Sequence, residues 1–177
     1  MRRMTFDTES DRYKPPGTAV GSVEGNREYL RKRKIRFDCA LVYDDLTAKF
    51  YEFASKEAVE CVKFLKLADE IISHSGRRAD LIVLEHACGE DTVAPLWDIK
   101  HHDLMEICNL ESVETLANRY VPEKALLLKA EFNKQWAEAS NAQNYFIAGK
   151  LAKARFDVAR THAVFIELER LGHLPAE

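Results

Sequence analysis

Turn-forming residues are scarce in this chain, with seven glycines and five prolines among 177 residues. That scarcity argues against a sandwich or barrel of many short strands, each of which needs a turn of its own. No Cys-x-x-Cys pair occurs. Cys39, Cys61, Cys88 and Cys108 stand singly in apolar or amphipathic stretches and read as buried thiols of a reducing compartment rather than a disulfide frame. No apolar run approaches the length that spans a bilayer. The opening residues MRRMTFDTESDRYKPPG carry two early arginines with no apolar segment behind them, unlike a signal peptide. A cytoplasmic location without membrane insertion is therefore expected. Gly-x-Gly-x-x-Gly and Gly-x-x-x-x-Gly-Lys phosphate loops are missing. So is the Glu-x-x-His pair of diiron helix bundles, since no glutamate has a histidine three residues on.

What is present has helical spacing. Val42, Leu46, Phe50 and Phe53 recur at three- and four-residue steps, and Ala58, Cys61, Val62, Leu65, Ala68 and Ile72 form a second stripe that ends at Gly76. The apolar run 79–88 suits a helix or a buried strand, and with no second strand candidate to pair it, helix is the better choice. Trp97, His101, Leu104 and Cys108 share one helical face, and Val113, Leu116, Ala117 and Tyr120 another. From Glu123 to Leu171 helix formers dominate, with breaks at Asn141 to Asn144 and at Gly149, which predicts a hairpin of two long helices. The expected fold is all-α: an irregular bundle of about six to seven helices with a long C-terminal helical hairpin. Residues 1–25 are expected to be an extended polar arm, and 26–177 a single α-helical domain.

Charge is unevenly laid out. Residues 1–37 hold ten Lys/Arg and five Asp/Glu, while the remainder holds sixteen and twenty-four, against a net charge of −3. The densest basic feature, Arg31, Lys32, Arg33, Lys34 and Arg36, points around a helix axis in nearly all directions. The function expected from this contrast is non-catalytic: a helical interaction or assembly subunit that docks a larger protein complex through its basic arm and a helix face, with no cofactor. Trp97, Trp136, Tyr145 and Phe146 are its candidate aromatic anchors. An alternative is a nucleic-acid-associated protein that uses the Arg31–Arg36 segment on phosphates.

A second alternative is a metal-dependent enzyme or sensor built on His74, His86, His102 and Asp103, with Cys88 and Cys108 as further donors. Their spacing fits no standard zinc pattern. His74, His102-Asp103 and Asp157 follow the order of the metal set in helical phosphohydrolases of the HD type, but the surroundings IKHHDLME differ from that family's. Residues 110–132 begin like a helix-turn-helix, yet Val121 stands at the turn glycine and the following helix opens on core-type residues. Finally, ASNAQNYFIAGKLAKARF is similar to one tetratricopeptide repeat at Ala142, Tyr145, Gly149 and Ala154. No second copy follows at the repeat period, so the segment reads as a helical hairpin.

Overall fold

The computed structural model describes residues 1–10, 22–33 and 36–175. It overturns the all-α helical bundle. Five strands, β1 (Arg3–Ser10), β2 (Phe37–Asp44), β3 (Lys49–Ala54), β4 (Glu70–Ser73) and β5 (Lys100–Asp103), form one mixed sheet in the order β3-β2-β1-β4-β5. β1 pairs antiparallel with β2, from Met4 opposite Asp44 to Ser10 opposite Phe37, and parallel with β4 through Arg3 to Thr5. β3 extends the antiparallel side and β5 the parallel side. Eight helices accompany the sheet: α1 (Val23–Arg33), α2 (Ala58–Leu65), α3 (Asp80–Cys88), α4 (Glu90–Trp97), α5 (Leu104–Ile107), α6 (Val113–Tyr120), α7 (Pro122–Ser140) and α8 (Tyr145–Arg170). The class is α/β.

Apolar side chains cover both faces of the sheet, and this is why the strands lack a sequence signature. Met4, Phe6, Ala40, Val42 and Ile71 enter one core with α2, α3 and α4. Leu41 packs with Ala154 and Val158 of α8 on the opposite face, and Ile72 joins Leu116, Val164 and Phe165 there. A strand sandwiched in this way is apolar at successive positions, so the period of two disappears. β2 is buried at seven of its eight residues. The helical spacing of Val42, Leu46 and Phe50 is coincidental: Leu46 lies in the β2–β3 turn, 70% exposed, whereas Phe50 stacks on Tyr43 at 5.0 Å from the next strand. Asp44 shapes that turn by accepting from Leu46 N at 3.1 Å and Thr47 Oγ1 at 3.0 Å.

β4 is only four residues long and follows α2 closely enough for Ile72 to continue its stripe, which conceals the strand. β5 reads KHHD, with no β-forming signal. Helical expectations fare better at 79–88, at 113–120 and in the C-terminal hairpin, where α7 and α8 are separated at residues 141–144. Gly149 lies inside α8, not at the turn. Within the stretch expected to be an extended arm, Arg3–Ser10 is extended as the central strand of the sheet. Lys34 and the side chain of Arg33 lie outside the described residues. No helix among those described is long and apolar enough to cross a membrane.

Candidate metal centre

The site forms where the sheet splits. Pairing between β1 and β4 stops at Thr5 opposite Ile72, while β1 continues beside β2 to Ser10. A crevice therefore opens past the C-terminal end of β4, the position where ligands lodge in open sheets whose strand order reverses. Asp80, at the start of α3, fills the hydrogen-bonding gap. Its Oδ1 accepts from Thr8 N at 2.9 Å and from Thr8 Oγ1 at 2.6 Å.

Side chains alternate along β1 and divide the strand's work. Met4 and Phe6 point into the first core. Thr5, Asp7 and Glu9 share the opposite face, where Thr5 Oγ1 lies 3.1 Å from His162 Nδ1 of α8. Five residues before His162, α8 brings Asp157 to the same face of the sheet. Ligand oxygens of Asp7, Glu9 and Asp157 come within 4.8 Å of one another. Asp7, Glu9 and Asp80 line a cavity of about 200 Å³, together with His74 and Lys153. Thus β1, α3 and α8 each contribute acid to one place.

One of these acids is short of partners. Asp7 Oδ2 is buried and has no hydrogen-bond partner among the described residues. Burial, followed by the charges of Asp80, Asp157 and Glu9, pushes the Asp7 carboxyl well above its ordinary range. Burial also raises Glu9, against the pull of Lys153, and takes Asp80 up to about 7 despite the Thr8 hydrogen bonds. Lys153 pairs with Glu9 and lies 3.1 Å from Asp157. Burial alone would lower its pKa, but Asp7, Asp157 and Glu9 more than offset that, so it stays protonated. Asp157 is also paired with Arg160, so among the described residues Lys153 and Arg160 together serve Glu9 and Asp157, and the converging carboxylate left without a cation of its own is Asp7. Oxygen-only donors select hard divalent ions such as Mg²⁺ or Mn²⁺ over zinc.

The loop between β4 and α3 is held by its own clamp. Asp103 accepts from Ser75 N at 2.7 Å, Arg77 N at 3.1 Å and Met105 N at 3.0 Å. Gly76 is required there, because a Cβ would stand 2.3 Å from Ser73 Oγ. His74 Nε2 meets the Glu111 carbonyl oxygen at 2.8 Å. A carbonyl only accepts, so Nε2 carries the proton and Nδ1 of the neutral ring is an acceptor.

The sequence-derived metal candidates do not come together. His74 reaches the cavity and Asp103 supports its loop. His102 packs on Phe165, 3.4 Å from Glu70, and His86 borders a separate hollow with Arg27 and Arg31. In the basic segment, Arg31 pairs with Glu90 and Lys32 with Glu28, while Arg36 is exposed. Trp97 is held internally, donating from Nε1 to Glu85 at 2.7 Å. Trp136 instead lies near the acids, on the wall of a neighbouring pocket.

Asp7, Glu9 and Asp80 escaped the sequence reading, and Asp157 entered it only within the HD-type order. One signal was available. In Met4-Thr5-Phe6-Asp7 apolar and polar residues alternate, and continuing that period of two places Asp7 and Glu9 on one face. Comparison with protein-family models and with curated proteins gives no match, so the site is interpreted from its own geometry.

Proposed function

We propose that this chain is a divalent-cation-dependent phosphodiesterase of the nuclease class, with Asp7, Glu9, Asp80 and Asp157 as its cation ligands. The observation that carries the reading is that Asp7 and Glu9 of β1 meet Asp157 of α8 within 4.8 Å and share a cavity with Asp80 of α3, with Asp7 Oδ2 left without a partner among the described residues. Carboxylate sites of this kind bind Mg²⁺ with coordination completed by water and substrate phosphate. When bound, such cations supply Lewis acidity to a phosphoryl oxygen and make water a stronger acid.

The protein's own groups have separable tasks. Thr8 fixes Asp80 through two donors. Lys153 remains charged and offsets repulsion among Glu9, Asp7 and Asp157, and its ammonium is placed to attract a phosphate oxygen. Lys150, anchored on Ser10 O at 2.9 Å and paired with Asp38, adds a second cation beside it. His74, held at Nε2 by the Glu111 carbonyl and lining the cavity, would be the nearby base for the proton of an attacking water. This reading develops the metal-dependent alternative with a different ligand set. Of the docking reading's aromatic anchors Trp97 is held within the chain, while Trp136, Tyr145 and Phe146 are exposed beside the acids. The cytoplasm suits it: Cys39 and Cys61 are buried free thiols, and burial pushes Cys39 up to about 12.

The test is hydrolysis of end-labelled single-stranded RNA and DNA oligonucleotides with Mg²⁺ or Mn²⁺. Cation-dependent shortening that is lost in Asp7→Asn and Asp157→Asn supports the proposal. Wild-type protein that leaves both substrates intact in either cation overturns it.

A further inference from the structure

A second cavity, of about 310 Å³, adjoins the first and differs from it in chemistry. Trp136 at the end of α7 and Tyr145, Phe146 and Gly149 at the start of α8 form its walls. Large aromatic surfaces are normally buried, yet Trp136 is 48%, Tyr145 68% and Phe146 49% exposed. The indole of Trp136 lies over Gly149 of α8, within ordinary contact distance of the position a Cβ would take there. The Lys150 ammonium stands 4.4 Å from the centre of the Phe146 ring. Glu9 and Lys153 line both cavities, so a ligand filling the two would meet the same ion pair midway.

We infer that the aromatic pocket of the α7–α8 hairpin binds one nucleobase of the substrate, placing the phosphate attached to that nucleoside at the carboxylate site. The inference rests on the phosphodiesterase reading for the identity of the second cavity's occupant. Three features select a nucleobase over an aliphatic or peptide group. Exposed aromatic faces stack with any base without reading its sequence. The pocket is small and closes against the α7–α8 hairpin, so it takes one base rather than a run. Its polar rim holds Lys150 and Lys153 beside Glu9 and Ser140, and the two lysines offer the positive charge a phosphate would need next to the acids. The substrate is accordingly a single strand whose base is unstacked from its neighbours.

Fluorescence of Trp136 provides a readout independent of catalysis. Full-length protein in Mg²⁺ is titrated with a nucleoside monophosphate and, separately, with ribose 5-phosphate, and Trp136→Phe identifies the indole's own signal. The nucleotide is expected to quench Trp136 to saturation, ribose 5-phosphate to leave it unchanged, and Tyr145→Ala/Phe146→Ala to weaken nucleotide binding about tenfold or more. Equal responses to the two ligands, or unchanged affinity in the double variant, overturn the inference. So does a dimer in sedimentation that Phe146→Ala dissociates with no nucleotide quench in either protein, since the pocket then belongs to a second copy. Hydrolysis of an abasic oligomer separates the two readings. If wild type and the double variant cleave it alike, the carboxylate site stands whatever the titration shows. If neither cleaves it nor any oligonucleotide, the phosphodiesterase reading fails while the quench still decides the pocket.

Discussion

The two ends of β1 both collect buried acids, and they treat them in opposite ways. At the N-terminal end, Arg2 grips Asp44 through two nitrogens at 3.2 and 2.9 Å. Arg3 reaches Glu70 at 3.0 Å and Glu169 at 2.6 Å, with Lys100 a further 3.0 Å from Glu70. Burial would raise Asp44 and Glu70, but these cations and hydrogen bonds hold both below their ordinary values. At the C-terminal end, Asp7, Glu9 and Asp80 are all raised. One strand thus carries a neutralised structural cluster and an incompletely neutralised one, about 20 Å apart at roughly 3.3 Å per residue from Arg3 to Glu9. The difference centres on Asp7: arginines meet Asp44 and Glu70 at one end, while at the other Arg160 and Lys153 attend Asp157 and Glu9 but leave Asp7 Oδ2 without a partner among the described residues.

Exchanging the two ends' behaviour by mutation should give the largest contrast. Asp7→Asn is expected to reduce hydrolysis by roughly a thousandfold or more, by analogy with other groups that stabilise transition-state charge. It should also raise the melting temperature of cation-free protein, because it relieves repulsion at a carboxyl that has no partner. Asp44→Asn should do the reverse. Breaking a buried ion pair costs about 3–5 kcal/mol, so thermal or urea denaturation should show a large loss, with hydrolysis per folded molecule retained. Circular dichroism and single-turnover assays on both variants check the pair. Equal stability losses in the two would erase the distinction.

Cation addition sharpens the same contrast with a smaller effect. Mg²⁺ or Mn²⁺ at a hundredfold excess over its dissociation constant should stabilise wild type by about 2.7 kcal/mol. Asp44→Asn should keep that increment and Asp7→Asn should lose most of it. Scanning calorimetry with and without chelator measures the difference.

The ends also diverge with pH. A raised folded-state pKa favours folding below the unfolded value and loses that contribution as pH rises through the folded one. For Asp80 the loss runs from near 4 to about 7. Depressed values at Asp44 and Glu70 work the other way: their contribution is present above the unfolded pKa and is lost as pH falls through the folded values. Cation-free protein should therefore be less stable at pH 8 than at pH 5.5, and Mg²⁺ should reverse that order. Chemical denaturation at the two pH values decides it. A stability independent of cation at pH 8 would contradict the assignment of Asp80 as a ligand.

The contrast also explains what the sequence could disclose. Helices α3, α6, α7 and α8 were legible because each is long enough for a period or is bounded by Gly76, Pro122 or the polar residues 141–144. Strands were hidden by burial on both faces in β2, by brevity in β4 and by polar composition in β5. His74 and Asp103 were noticed as residue types, but imidazole and carboxylate near one another suggested a His/Asp metal set. In the fold Asp103 holds backbone amides, and the acids that converge come from positions 7, 9, 80 and 157. Such distances in sequence leave no local spacing to recognise, and only the i, i+2 pair on β1 could have been found. The basic excess of residues 1–37 comes from Arg27 to Arg36 and draws attention to Arg and Lys, while Asp7 and Glu9 do the gathering.

The finest comparison lies within β1 itself, between two threonines on opposite faces. Thr8 Oγ1 is one of two donors to Asp80 Oδ1, the other being its own backbone nitrogen. Thr5 Oγ1 meets only His162 Nδ1 at 3.1 Å, one turn of strand away from the acids. Thr8→Val keeps the shape and the backbone bond but frees the carboxylate to rotate, so it should lower kcat about tenfold, equivalent to ~1.4 kcal/mol, with little change in KM. Thr5→Val loses one hydrogen bond of comparable geometry and should cost about 1 kcal/mol of stability with kcat unchanged. Because both substitutions remove a single hydroxyl from the same strand, a general loosening of β1 would lower kcat in both. Loss confined to Thr8→Val places the effect on the orientation of Asp80.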